Sequence, residues 1–284
     1  MFLLCVAKTK DEVVQNTQTQ ANNVIDYFSL NDLCNNSDKA GLLYNSNGKG
    51  ETVELEIGGQ KIISKKSEKL LGLNISSDFN WKVHCEKLAS QLNQKVGLLR
   101  RMRHRVPTKE ILIIAEAIFN SKIRYGCSVY LHPIFEKEDI KQRKLTSEGY
   151  KLQVIQNNML RMIFNYKLGD KTNMENLRHN IQIFSVNQMV CYHVLLESFN
   201  IINYGSSEII QKKWIPQETR NYPVRRERKE DVKVHVPAHV SCQGFTFYGA
   251  KLWNQLPVKI QEIKNPDSFK TEIKKYIWDH IPSY

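Results

Sequence analysis

The spacing of apolar residues changes at Trp81, and no single regular element accommodates both spacings. Before it, Val53, Leu55 and Ile57 alternate with Glu54 and Glu56, the two-residue period of a strand with one buried face. After it, Cys85, Leu88, Leu92, Val96, Leu99 and Met102 advance by three or four, placing them on one face of a helix that reaches about Arg103. A strand-patterned opening followed by a helix-patterned remainder defines an α+β chain.

The same reading extends along the chain. The apolar run Phe2 to Val6 predicts a strand. Val13, Val14, Ala21, Val24, Ile25 and Phe28 predict an amphipathic helix over 11–30, with Thr9 as its cap. An asparagine-rich turn follows over 31–38, and Leu42, Leu43 and Tyr44 predict a short strand. Gly58-Gly59 predicts a tight hairpin turn leading into Lys61-Ile62-Ile63, because glycine reaches positive φ without strain. Leu70 to Ile75 predicts a further strand.

Downstream, Pro107 separates the helix after Trp81 from a second one, with Thr108 as its cap, through Ile111, Ile114, Ala115, Ile118 and Phe119. A polar stretch over 136–147 precedes a third helix bearing Leu152, Ile155, Met159, Leu160 and Ile163. Ser185 with Gln188 forms a capping box for a fourth, over 186–200. Pro216, Pro223 and Pro237 then alternate with arginines in an irregular basic connector, and a last helix starts near Ser268. The expected organisation is therefore 1–80, a helical region 81–213, a connector 214–243 and a small helical C-terminal element 244–284.

The formal net charge of +12 points to a polyanionic partner. Nucleic acid is favoured over a membrane, because the cations are spread among aromatics and along helices. The apolar runs around 111–119 and 190–202 are too short and interrupted to span a bilayer, and the N-terminal apolar run lacks a basic flank expected of a secretory signal. Six cysteines without paired spacing predict reduced thiols in a cytoplasmic or nuclear compartment.

Six separated stretches then fall into one order. They are Asn31 to Lys39, Leu70-Leu71-Gly72-Leu73, Asp78-Phe79-Asn80-Trp81 with His84, Arg124-Tyr125-Gly126, Leu152-Gln153-Val154-Ile155-Gln156-Asn157 with Arg161, and Phe247 to Pro257. In this order they resemble the C-terminal part of a non-LTR retrotransposon reverse transcriptase of the jockey and CR1 type. The matching family patterns are N-x-L-x-x-N-x-x-K-T, F/Y-L-G-V, L-x-W-x-x-H, R-Y-G, L-Q-x-x-Q-N-x-x-x-R and Y-x-A-x-x-W-N-x-L-P. The resemblance implies the end of a polymerase palm with a small antiparallel sheet, then a mostly α-helical thumb and C-terminal region.

The parent activity is RNA-directed DNA polymerisation with two metal ions, magnesium in the parent enzyme, held by palm aspartates. By the resemblance the Asp-Asp pair would precede Met1, and no such pair occurs in these 284 residues. The chain alone is therefore expected to be inactive as a polymerase and to need no cofactor. Lys39 matches the family lysine that assists pyrophosphate departure, but Ala40 replaces the following threonine. The reading is then a truncated product that keeps nucleic-acid binding by its thumb. Two others stand beside it: a helical protein–protein interaction module kept from a retroelement, and an incomplete gene model of an active enzyme.

The candidate contact residues for an RNA/DNA duplex, without sequence preference, are Lys82, Lys87, Lys95, Arg100, Arg101, Arg103 and Arg105, opposed before Glu110 only by Glu86. A second basic segment holds Arg220, Arg225, Arg226, Arg228 and Lys229, diluted by Glu218, Glu227, Glu230 and Asp231. His235, His239 and Cys242, with Cys191 and His193, have only a passing likeness to zinc-ligand spacing, lacking the cysteine pairs that close tight metal-binding turns. No metal site is expected. Neither a nucleophile elbow nor a phosphate-cradling glycine loop is present.

Overall fold

A computed structural model describes residues 3–34, 40–45, 51–133, 148–167, 173–215, 234–236 and 244–281. The chain divides into two compact units, Met1–Glu86 and Lys87–Tyr284.

In the first unit, helix α1 (Lys10–Leu30) starts at a reciprocal capping box, in which Thr9 Oγ1 accepts from the Glu12 N–H and the Glu12 carboxylate accepts from the Thr9 N–H. The helix packs beside strand β1 (Glu54–Ile57). There the Gln18 amide accepts from the Glu56 N–H (2.9 Å) and donates to the Glu56 carbonyl (2.5 Å), standing in for a neighbouring strand. β1 pairs antiparallel with β2 (Gln60–Ile63), with Gly58 and Gly59 at φ 58° and 78° making the turn. A second, separate hairpin joins β3 (Ser67–Leu70) to β4 (Leu73–Ser76).

Three expectations change here. Residues 3–7 form no strand, and 42–44 contribute a single parallel bridge, Leu43 to Lys65. More consequentially, Leu70 to Ile75 is not one strand. Leu71 at φ 47° and Gly72 at φ 86° reverse the chain, so Leu70 pairs with Leu73 across a two-residue turn. Positive φ at both central residues matches the hairpin twist, and Gly72 meets that requirement readily. Leu71 does not, since a Cβ in that region costs about 1–2 kcal/mol. It is also 81% exposed. Leu71→Asn is therefore expected to stabilise the hairpin by about 1 kcal/mol and slow amide exchange in β3 and β4 about fivefold. Unchanged or faster exchange would contradict the assigned turn.

The second unit is helical. Helix α2 (Lys82–Met102) starts in the first unit and runs into it, burying Leu88, Leu92 and Leu99 there. α3 (Thr108–Ala115) continues through a π-helical turn (Glu116–Asn120) into α4 (Ser121–Arg124). Thr108 is not the cap expected of it: Pro107 occupies that position, and no side chain caps the helix. Gly126, at φ 67°, then turns the chain into α5 (Cys127–Tyr130). α6 (Glu148–Ile163), α7 (Met174–Asn180), α8 (Val186–Tyr204) and α9 (Glu208–Trp214) follow. α10 (Phe245–Asn254), α11 (Val258–Gln261) and α12 (Pro266–His280) end the described chain.

Helix α8 is the axis of this unit. The expected capping box is present, with Ser185 Oγ accepting from the Gln188 N–H. Eleven of its nineteen residues are buried, because α5, α6, α10 and α12 all pack against it. Phe269 of α12 stacks on Phe199 at 4.3 Å and lies 5.8 Å from Trp253 of α10. Residues 244–281 are helical and pack into this core. The last helix starts near Ser268, as expected: Asn265 Oδ1 accepts from the Asp267 and Ser268 N–H groups, and Pro266 takes the first position, where its missing donor is harmless. Among the described residues no helix is long and apolar enough to cross a membrane.

Candidate nucleic-acid interface

The start of α2 is built by residues just upstream of it. Asn80 Oδ1 accepts from the Lys82 N–H at 3.1 Å, satisfying one of the helix's free donors. Asp78 accepts from both the backbone and the side-chain amide of Asn80, and the Ser76 hydroxyl donates to the Asn80 carbonyl. The Ser76 hydroxyl and the Asn80 backbone N–H hold the Asp78 carboxyl below its ordinary range. His84, in the first turn of the helix and buried, accepts the Asn74 N–H at Nδ1. The Asp78 to His84 motif is thus a clasp between hairpin and helix.

Of the seven cations proposed for α2 and its end, Lys82 lies in the first unit and the others in the second. Lys82, Lys87, Arg100, Arg101 and Arg105 are exposed, whereas Lys95 is half-buried. Arg103 is also half-buried, and its Nη1 donates to the Met162 carbonyl at 2.7 Å, tying the end of α2 to α6. Arg100, Arg101 and Arg105 make no ion pair among the described residues. The exposed cluster at the end of α2 is therefore those three. Lys39 and the segment Arg220, Arg225, Arg226, Arg228 and Lys229 lie outside the described residues.

Several motif residues that read as candidates for function are internal fasteners. Arg124 pairs with Glu116 at 2.6 Å. Glu116 Oε2 accepts from Asn120 Nδ2, and Asn120 Oδ1 accepts from Gln156 Nε2 at 3.1 Å. Gln153 Nε2 donates to Gln156 Oε1 and Asn157 Oδ1, while Gln153 Oε1 accepts the Val186 N–H at 2.7 Å. Asn157 Oδ1 finally accepts from Arg178 Nη1 at 2.6 Å. This polar chain links α4, the π-turn, α6, α7 and the start of α8, running from a half-exposed ion pair into the interior, where the buried amides of Asn120, Gln153 and Gln156 must be matched. Sequence reading placed Leu152, Ile155 and Met159 in the core and missed that Gln153 and Gln156 go in with them. Their spacing of three was the available signal. Nothing in the sequence singled out Arg178, in a segment where the pattern assigned no element.

The Phe247 to Pro257 stretch is equally internal. Tyr248, Ala250, Trp253 and Leu256 are buried. The Asn254 side chain pairs with both the N–H and carbonyl of Val234, and Gln261 Nε2 donates to the carbonyls of Trp253 and Leu256. A Cβ on Gly249 would lie 2.7 Å from Trp214 Cη2. Trp214 in turn donates to the Thr246 carbonyl and accepts the His235 N–H on its own carbonyl. The exposed His235 is thus joined to the buried Trp214 by its backbone, although the sequence places them on opposite sides of the basic connector.

Burial pushes the Cys127 thiol up to about 12 and raises that of Cys191 further, so both are neutral packing groups. Burial, with Arg124 nearby, lowers the His193 pKa. His239 and Cys242 lie outside the described residues, and among the described residues no three His, Cys, Asp or Glu side chains gather where a metal ion could sit. No protein family, curated protein or solved structure matches this chain.

Proposed function

We propose that this chain is the end of the palm, the thumb and the C-terminal region of a jockey- or CR1-like non-LTR reverse transcriptase, and that it holds a nucleic-acid duplex through the basic end of α2. The observation that carries the reading is the exposed, unpaired trio Arg100, Arg101 and Arg105, at the end of α2 and in the turn after it, where Arg103 anchors the chain to α6. Cations presented this way neutralise phosphates and release counterions without reading bases. The ordered motifs support the ancestry, and their structural roles at a helix start, a kink and a packed core explain how such residues maintain a thumb-like scaffold.

Binding of an RNA/DNA duplex should weaken steeply as salt rises, with no preference among sequences. Flat or absent binding at low salt would reject the reading. The same preparation, supplied with magnesium, primer-template and deoxynucleotides, is expected to incorporate nothing, because the 284 residues contain no consecutive aspartates to clamp two metals. Primer extension above a heat-denatured control would overturn that.

A second reading, a module for a protein partner, is favoured by a different observation. The first unit exposes Leu4, Val6, Leu30 and Tyr27 at 71%, 84%, 84% and 59%. A partner covering any of these side chains would show as their protection in the complex, with duplex affinity unaffected.

A further inference from the structure

The second unit holds a cavity of about 210 Å³, lined by Glu175, Asn176, Arg178, His179, Gln188 and Trp278. Arg178 is 2% exposed, and among the described residues it is the one buried side chain of the Lys, Arg, Asp and Glu set. Its Nη1 is taken by Asn157, but its buried Nε has no hydrogen-bond partner and no carboxylate reaches ion-pair distance. Burial draws its pKa down to about 10, with Glu175 the one group acting against that. A guanidinium carries five donors and no acceptor, so burying it with Nε unpartnered is unfavourable unless other groups serve its donors.

The other walls show what could fill them. Gln188 is already used, accepting from the Ser185 N–H and donating to the Ile281 carbonyl. Trp278 is held between His179, at 5.3 Å edge to face, and Phe184 at 4.9 Å, and gives the cavity an apolar side. Glu175 is exposed and would repel an anion. The volume is below the roughly 300 Å³ at which sites for drug-sized ligands begin, so a whole nucleotide does not fit.

We propose that this cavity binds a single small oxyanion of the phosphate class, received by the Arg178 guanidinium that lines it beside Trp278. A planar fork of N–H donors matches a tetrahedral oxyanion better than it matches chloride. The phosphate can be free in solution or be the terminal group of a nucleic-acid strand, and the site works independently of the α2 cluster.

Inorganic phosphate is titrated into the full chain at constant ionic strength, with chloride as the counter-titrant, following the Arg178 Nε–H resonance. A saturable shift with phosphate and none with chloride is expected. Arg178→Lys, which keeps the charge but loses the fork, should weaken binding about tenfold. Exposed Glu175→Gln removes the repulsion without touching the core, and should tighten it about threefold. A 5′-phosphorylated dinucleotide that competes while its unphosphorylated twin does not would assign the strand end, and failure of both to compete would assign free phosphate. No saturable phosphate shift in either the wild type or Glu175→Gln overturns the proposal, and so does a Glu175→Gln variant that binds more weakly. Those two proteins decide the matter even where Arg178→Lys fails to fold.

Discussion

Trp253→Ala is expected to destabilise the second unit by about 3–5 kcal/mol, the range for emptying a fully buried aromatic site. Trp253 is wholly enclosed and lies against Phe269, which itself stacks on Phe199 of α8. The backbone around it cannot easily collapse, because Gln261 pins the Trp253 and Leu256 carbonyls and Trp214 fills the space over Gly249. The damage should therefore reach α8, and not remain in 244–281. Urea unfolding followed by circular dichroism should show the lowered midpoint, and amide exchange over Val190 to Leu195 should accelerate with it. Val258→Ala, at a 41% exposed site on α11, serves as the control and should change stability by less than about 0.5 kcal/mol. Unchanged protection in α8, with fraying confined to α10 and α12, would show that α10 and α12 do not support α8.

The second large effect concerns binding. Replacing Arg100, Arg101 and Arg105 together by alanine should flatten the dependence of log affinity on log salt by nearly 3, if each contacts one phosphate of a duplex. Low-salt affinity should fall most, since that is where counterion release contributes most. Arg103 is kept in this variant on purpose. Its bond to the Met162 carbonyl holds α2 on α6, and its loss would confuse a stability effect with a charge effect. All three replaced side chains are exposed, so the melting curve should be unchanged within about 0.5 kcal/mol. An unchanged salt slope in a folded triple variant would remove α2 from the interface.

Reading the residues alone reached the elements whose signals lie within a few positions. The Thr9 and Ser185 caps, the Gly58-Gly59 turn and the apolar face of α2 are all decided by neighbours three or four residues away, and these appear in the fold. The Leu70 to Leu73 run was misread for a related reason. Its apolar composition resembles a strand, and a leucine at positive φ is locally unfavourable, so the turn depends on the four pairs that β3 and β4 form around it. Short α7 and α9 were missed because seven residues carry too little periodicity to stand out.

The candidate site divides in the same way. The charge of the α2 end was visible in its composition, since exposed cations need no partner to be recognised. Which arginine is free and which is a fastener was not, because Arg103 is engaged by a carbonyl 59 positions away. Gln153, Gln156 and Asn157 are as compatible with a surface as with an interior, and it is Asn120, Val186 and Arg178 that make them internal. Local chemistry thus settles where helices and turns begin and how much charge the chain carries. Burial is a property of assembled surfaces, and it alone turns a glutamine into a core residue, Arg178 into a buried cation beside a cavity, and a C-terminal stretch into part of the α8 core.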